Sequence, residues 1–488
     1  MTSVHVEGVS VPLDHYIDGR RVGSQRRFEV RSPIDWDGWE LGRVAAGGAA
    51  EVDLAVASAR RAFPAWAALG PAGRLEVLDR LANAIDAAVD DLAKVECADN
   101  GSLYEAMHLR VLPRAANNIR FFAHYAVERL DEPPRTLPGG ERNRVRYDPC
   151  GVVAVSTPWN APFMLATWRV GPALAAGNTV VLKPPEWAPL TCSLLGDLAD
   201  QAGVPPGVLN IVHGTGAGAG AALTGHPDVD RVAFTGSPAT ARTVYGDAAA
   251  QLTPVSFELG GKSPFVVFDD ADLDAAVATA AYQYDNSGQV CLAGTRLLVQ
   301  RSILDEFVER FAARVSEITV GDPREPATTY GPLIHPVALS RVTGHVERAL
   351  AAGARLAFGG HSLGGLYYAP TLFTEILSGA EILEHEVFGP VLTLQAFDDE
   401  EQAIRLANAT DYGLAATIYT GSEHRAERVS EAVVAGTVWV NCFYVRDLET
   451  PFGGARDSGI GREGGRHSFD FYCDVKTVCE RTSSFTAS

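Results

Sequence analysis

The alternation of apolar and polar positions divides most of the chain into short β-branched runs separated by helical stretches. From 151 to 268 the apolar runs at 152–156, 179–182, 208–212, 231–234 and 255–259 read as strands. Stretches 163–176 and 190–202 repeat with helical period and read as helices between them. Buried strands of this length, spaced by helices, imply right-handed βαβ units and a mainly parallel sheet. A second alternating block runs from 263 to 441. It has strands near Phe265, Leu297, Thr417 and Val438, and helices near 272–284, 305–318 and 400–407. Ahead of both, 49–68 and 74–98 pattern as amphipathic helices packed on a sheet, with Pro64 interrupting the first. Two α/β blocks in series suggest two domains with a ligand cleft between them. The segment 131–149, rich in Pro, Gly and Arg, reads as a linker or a protruding hairpin, and the tail beyond Glu480 as polar and frayed.

Composition narrows the function classes. A formal charge of -19 over 488 residues argues against a nucleic-acid partner, which needs a positive surface. No apolar run reaches membrane-spanning length, since 164–182 is broken by Arg169, Pro172, Gly177 and Asn178. The first residues lack a secretory pattern, so the expected location is the cytoplasm. Seven cysteines without a C-x-x-C pair or a zinc-like cluster point to free thiols and no metal. Only four of the 41 basic residues are lysines (94, 183, 262, 476), so Lys183, at the end of an apolar strand, stands out from surface decoration.

Several positions carry candidate chemistry. Cys291 follows the small, polar stretch Asn286-Ser287-Gly288-Gln289-Val290, an approach suited to a reachable nucleophile. Glu258 ends an apolar strand and precedes Gly260-Gly261, at the strand end where α/β proteins bind ligands; it is a candidate general base. Asn160, after Pro158-Trp159 at another strand end, could donate to an oxyanion. The alternating glycines 214–220 are a poor match to G-x-G-x-x-G. The turn Phe234-Thr235-Gly236-Ser237 is a better pyrophosphate site, because it opens a helix. Lys183 and Glu186 suit the adenosine ribose, and an acid there repels a 2′-phosphate, favouring NAD over NADP.

Together these runs resemble the aldehyde dehydrogenase superfamily over nearly the whole chain. The matching runs also include Gly171 to Asn178, Lys183-Pro184-Pro185-Glu186, Glu386-Val387-Phe388-Gly389-Pro390 and Pro451-Phe452-Gly453-Gly454. The resemblance implies a Rossmann-like cofactor domain (1–130 with 150–259), a second α/β catalytic domain (260–467), and a small β oligomerisation arm (131–149 with 468–488). Homodimers or homotetramers would follow. It implies that Cys291 forms a thiohemiacetal and then a thioester, with the oxyanion held by the Asn160 side chain and the Cys291 N–H. Glu258 would then activate the hydrolytic water. NAD would be held by Trp159, Lys183, Glu186, Gly236, Ser237, Glu386 and Phe388. Glu258 also separates this reading from CoA-acylating relatives, which commonly lack that base.

A narrower likeness, to the dehydrogenases of hydroxymuconic and aminomuconic semialdehydes, rests on Val445-Arg446-Asp447-Leu448, on 458–465, and on Pro113-Arg114 with Arg120-Phe121-Phe122-Ala123. Such substrates carry a carboxylate that Arg114, Arg120 or Arg446 would pair, with Trp168 and Phe452 as further substrate contacts. Glu449 stands where that branch usually has arginine. An acid at the mouth would favour a cationic aminoaldehyde of the betaine-aldehyde type instead. A CoA acceptor and a non-catalytic nucleotide-binding protein are the remaining alternatives.

Overall fold

The computed structural model describes residues 2–130 and 133–481. The first α/β block forms an eight-stranded sheet. Its parallel centre runs Val255–Glu258, Arg231–Thr235, Val152–Ser156, Thr179–Lys183, Leu209–Ile211. Antiparallel strands close both sides: Gly459–Ile460 against Val255–Glu258, and His15–Ile17 against Leu209–Ile211. The alternating faces of these β-branched strands feed two cores. Val153, Val155, Val180 and Leu182 pack toward Phe122, Phe163 and Trp168, whereas Val152, Ala154 and Val181 pack toward Val52, Val56 and Leu223.

The second block forms a seven-stranded sheet ordered Arg355–Phe358, Thr371–Thr374, Val391–Phe397, Arg296–Gln300, Pro264–Val267, Ala415–Tyr419, Thr437–Val440. All its pairings are parallel except the first. It too is covered on both faces, by cores around Phe307 and Phe311 and around Phe397 and Val429. A third, three-stranded sheet pairs Cys473–Arg481 with Glu141–Pro149, and Arg135–Thr136 with the same strand.

The two-block α/β expectation is met, and several elements differ in detail. Pro64 lies within one continuous helix, Ala49–Ala68. Tertiary packing outweighs the hydrogen bond it removes: Trp66 is fully buried and its indole N–H donates to Leu174 O at 3.1 Å. The stretch 74–98 is two helices, Gly70–Ala87 and Val89–Asn100, broken at Ala88. Helices Leu112–Glu128 and Pro336–Ala351, the strand Val391–Phe397 and the strands before residue 46 are additions to the sequence reading. The segment 131–149 is a hairpin as far as it is described; residues 131–132 of the expected arm, and its tail at 482–488, lie outside the described residues. Among the described residues no helix is long and apolar enough to cross a membrane.

Candidate active site

A cavity of about 1150 Å³ opens where the carboxyl ends of the two main sheets meet. Glu258 and Gly260 reach it from the end of one strand, Thr235 and Gly236 from the next, and Trp159 and Asn160 from a third. Cys291, Glu386, Phe388, Arg446 and Phe452 reach it from the second block. Residues scattered over 300 positions converge because strand ends of parallel sheets all face the same way.

Cys291 is held by an unusual approach. Asn286, Ser287 and Gly288 all have left-handed backbone, with φ of 50°, 58° and 69°. Two non-glycine residues in that region carry strain that neighbouring bonds must offset. The Ser287 hydroxyl donates to Gly331 O at 2.5 Å, and the Asn286 side chain accepts from the Ser102 hydroxyl at 3.1 Å. The buried Gln289 amide donates to Asn286 O and Pro332 O and accepts from the Ile334 N–H. A Cβ on Gly288 would lie 2.2 Å from Gly389 O, so the bare backbone lets this loop meet the loop that carries Phe388.

Cys291 keeps part of its surface on the cavity. Burial of the thiol, with Glu386 and Glu258 nearby, pushes it up to about 12, so it is protonated at rest. Asn160 donates one amide hydrogen to Gln289 O at 2.9 Å. The second hydrogen has no acceptor among the described residues, and Asn160 and Cys291 both line the cavity. Glu258 is buried, and its Oε1 has no hydrogen-bond partner among the described residues. Burial lifts its carboxyl to about 7, against the pull of Arg169, Arg446 and Arg462. Such a group is poised as a base near neutral pH.

Other residues that line the cavity fit a dinucleotide. The helix Pro238–Ala249 opens onto it, capped by the Ser237 hydroxyl, which accepts the Thr240 N–H at 3.2 Å. A Cβ on Gly236 would lie 2.5 Å from the Phe234 ring, so close backbone approach is built in. Glu386, lifted to about 7 chiefly by burial, accepts the Gly261 N–H at 2.9 Å. Phe388, with φ of 50°, meets Trp159 edge-to-face at 5.4 Å. Lys183 and Glu186 do not line the cavity; they lie against the 216–220 turn, where Glu186 accepts the Gly216 N–H at 2.7 Å.

The model of the aldehyde dehydrogenase family matches residues 21–478. The chain belongs to this family. Among similar aldehyde dehydrogenases is the 2-hydroxymuconic semialdehyde dehydrogenase of Pseudomonas sp. (strain CF600), 43% identical and spanning 96% of this chain and 99% of that one. The 2-aminomuconic semialdehyde dehydrogenase of Danio rerio is 39% identical, over 96% and 97%. An indole-3-acetaldehyde dehydrogenase of P. syringae, solved with NAD+ and IAA, superposes with a TM-score of 0.94 at 38% identity, covering 97% of each chain. The protein is an NAD-dependent aldehyde dehydrogenase.

The substrate half of the cavity carries further detail. Arg446 is stacked over the Phe452 ring at 3.6 Å, with the Trp168 ring 5.1 Å away on the same guanidinium. Arg114 lines the same wall, and its Nε has no partner. Neither arginine has a carboxylate within ion-pair distance among the described residues. Burial lowers the pKa of both, Arg446 to about 10. Arg120 must be corrected: it points away from the cavity, where Asp86 and Asn83 accept from its guanidinium at 2.7 and 3.0 Å. It lies on the outward side of the helix that presents Arg114. Glu449 is likewise outside the cavity, paired with Arg129 at 3.2 Å. Sequence reasoning missed Gln289 and the buried pair of Arg169 and Glu463, which also accepts the Trp168 indole N–H. An arginine inside the apolar run 163–176 was the available signal.

Proposed function

We propose that this aldehyde dehydrogenase oxidises an aldehyde that carries a carboxylate at its far end, releasing the dicarboxylic product by hydrolysis of a thioester on Cys291. The observation that carries the substrate class is the pair Arg446 and Arg114, two half-buried arginines on the cavity lining without a carboxylate at ion-pair distance among the described residues. A partly desolvated guanidinium that has no carboxylate hydrogen-bonded to it gains from a bidentate carboxylate. The two semialdehyde dehydrogenases described above agree with this reading. A cationic aminoaldehyde would need a free acid in the same place. Glu449 is outside, and Asp285 is already paired with Arg110 at 3.3 Å.

In the proposed reaction the Cys291 sulfur attacks the aldehyde carbon as its proton passes through water to solvent, and the thiolate released when the C–S bond later breaks takes a proton back. The developing oxyanion is received by the second Asn160 amide hydrogen and by the Cys291 N–H, which has no backbone acceptor among the described residues. NAD, when bound, supplies the hydride acceptor that converts this adduct to the acyl-enzyme. Glu258 then takes a proton from water as the water attacks the acyl carbon, and the C–S bond breaks. Trp159, Gly236, Ser237, Glu386 and Phe388 are assigned to the pyrophosphate and nicotinamide end, and Lys183 and Glu186 to the adenosine ribose. The free carboxylate of Glu258 favours water over CoA as acceptor. The domains assigned to these tasks are 1–130 with 150–259 for the cofactor and 260–467 for the catalytic cysteine. The arm, 131–149 with 468–488, is assigned to homo-oligomer assembly.

The test is NADH formation against paired aldehydes of equal size with and without a terminal carboxylate, in wild type, Cys291→Ala and Arg446→Gln. We expect no turnover in Cys291→Ala, and a KM for the carboxylated member that rises at least about tenfold in Arg446→Gln. Equal KM values for both members in wild type would overturn the substrate class. Turnover surviving in Cys291→Ala would overturn the thioester.

A further inference from the structure

The same arginine that faces the substrate's carboxylate is a neighbour of the general base. Glu258 packs against the backbone of Gly453: a Cβ there would lie 2.8 Å from its Oε1. Gly453 directly follows Phe452, the ring on which Arg446 is stacked at 3.6 Å. Three cations act on Glu258: Arg169, Arg446 and Arg462. Arg169 is already neutralised by Glu463 in a pair buried to 1% and 2% exposure. Arg462 donates to Gly454 O and Gly461 O, both at 2.8 Å, and does not line the cavity. Arg446 alone of the three lies in the substrate half and has no acidic partner among the described residues. Its other charged or titratable neighbours are Arg114, Tyr444 and Cys291.

We infer that Arg446 couples substrate occupancy to the basicity of Glu258: while the acyl chain's carboxylate is paired with Arg446, Glu258 loses its counter-charge and becomes the stronger base that the hydrolytic water requires. The inference rests on the carboxylated substrate proposed above. With no acyl group bound, the positive charge of Arg446 opposes the burial that raises the Glu258 carboxyl and keeps Glu258 the weaker base. Once Cys291 carries an acyl group with a distal carboxylate, that charge is compensated within the same cavity, and the proton affinity of Glu258 rises. Arg446 then acts through Glu258 as a positioning residue for charge, in addition to gripping substrate.

The direction of the effect is fixed. Hydrolysis needs Glu258 deprotonated, so its rate falls as pH drops through the Glu258 midpoint. Removing or compensating a nearby positive charge moves that midpoint upward, by about one pH unit for a unit charge in a partly screened interior. The measurement is decay of the acyl-enzyme, followed by acid quench and intact mass in single turnovers across pH with NAD present. Two acyl chains of equal size are compared, one ending in carboxylate and one in methyl. In wild type the midpoint for the carboxylated chain should be about one unit the higher. In Arg446→Gln the methyl chain should move up to the midpoint of the carboxylated chain in wild type, the carboxylated chain should lie at or above it, and Arg446→Lys should restore the lower midpoint for the methyl chain. Coinciding midpoints in wild type would overturn the coupling, even where KM still favours the carboxylated aldehyde. Equal KM values for the two aldehydes would instead remove the substrate class beneath it.

Discussion

Asn160 shows how one side chain can serve structure and chemistry at once. One amide hydrogen anchors it to Gln289 O, beside the strained approach to Cys291, while the other is free for an oxyanion. Asn160→Ala should therefore lower kcat by about a hundred- to a thousandfold. Its melting temperature should fall only slightly, since one neutral hydrogen bond contributes about 1 kcal/mol net. Steady-state kinetics and thermal unfolding of the same preparation check both. Glu258 sets the pH response. Its carboxyl, lifted to about 7, is the active base only when ionised, so turnover should decline as pH falls below 7. In Glu258→Gln the acid limb should disappear and the thioester should accumulate, visible as an acyl mass on Cys291 after acid quench. A variant that hydrolyses at the wild-type rate would remove Glu258 from the mechanism.

At the scale of elements, the loop from Asn286 to Cys291 depends on backbone that ordinary residues resist. Gly288 has φ of 69° and stands where a Cβ would meet Gly389 O at 2.2 Å. Gly288→Ala should cost more than about 1 kcal/mol of stability. Because Gly389 adjoins Phe388, it should also weaken NAD binding, read as a raised dissociation constant by fluorescence titration. Unchanged stability and NAD affinity would show that the two loops are not coupled. The parallel strands of the first sheet were legible in the sequence because buried β-branched runs such as 152–156 have few other readings. The helix Leu112–Glu128 was not, although its apolar face, with Ile119 and Phe122, packs into the first core beside Trp168. Its exposed Leu109 flank and the π-type turn at Met107–Val111 blur the helical period where it begins. The break at Ala88 was hidden for a related reason, since alanine signals neither a cap nor a turn. Motif residues were placed well at strand ends, while Arg120 was misplaced because helical rotation, not sequence proximity to Arg114, decides which arginine faces inward.

For the whole molecule, the three-stranded sheet stands apart from the two large ones. The strand Cys473–Arg481 runs antiparallel to Glu141–Pro149 in unbroken register for nine residue pairs. It is an outer strand, and most of its side chains are exposed, Val475 to 47%. A long outer strand with unused backbone donors and acceptors is a template for pairing with another chain. None of its residues lines the cavity, whose lining ends at Asp457. The strand and the cavity are thus separate parts of the molecule. A chain ending at Asp474 keeps Cys473, which is buried in the first core, and loses the rest of the strand. We expect that truncation to reduce the mass in sedimentation equilibrium from a dimer or tetramer to a smaller species, with turnover per Cys291 retained within about threefold, because cavity and arm share no residue. A full chain that sediments as a monomer, or a truncated one that keeps the full mass, would show that this sheet does not assemble the protein.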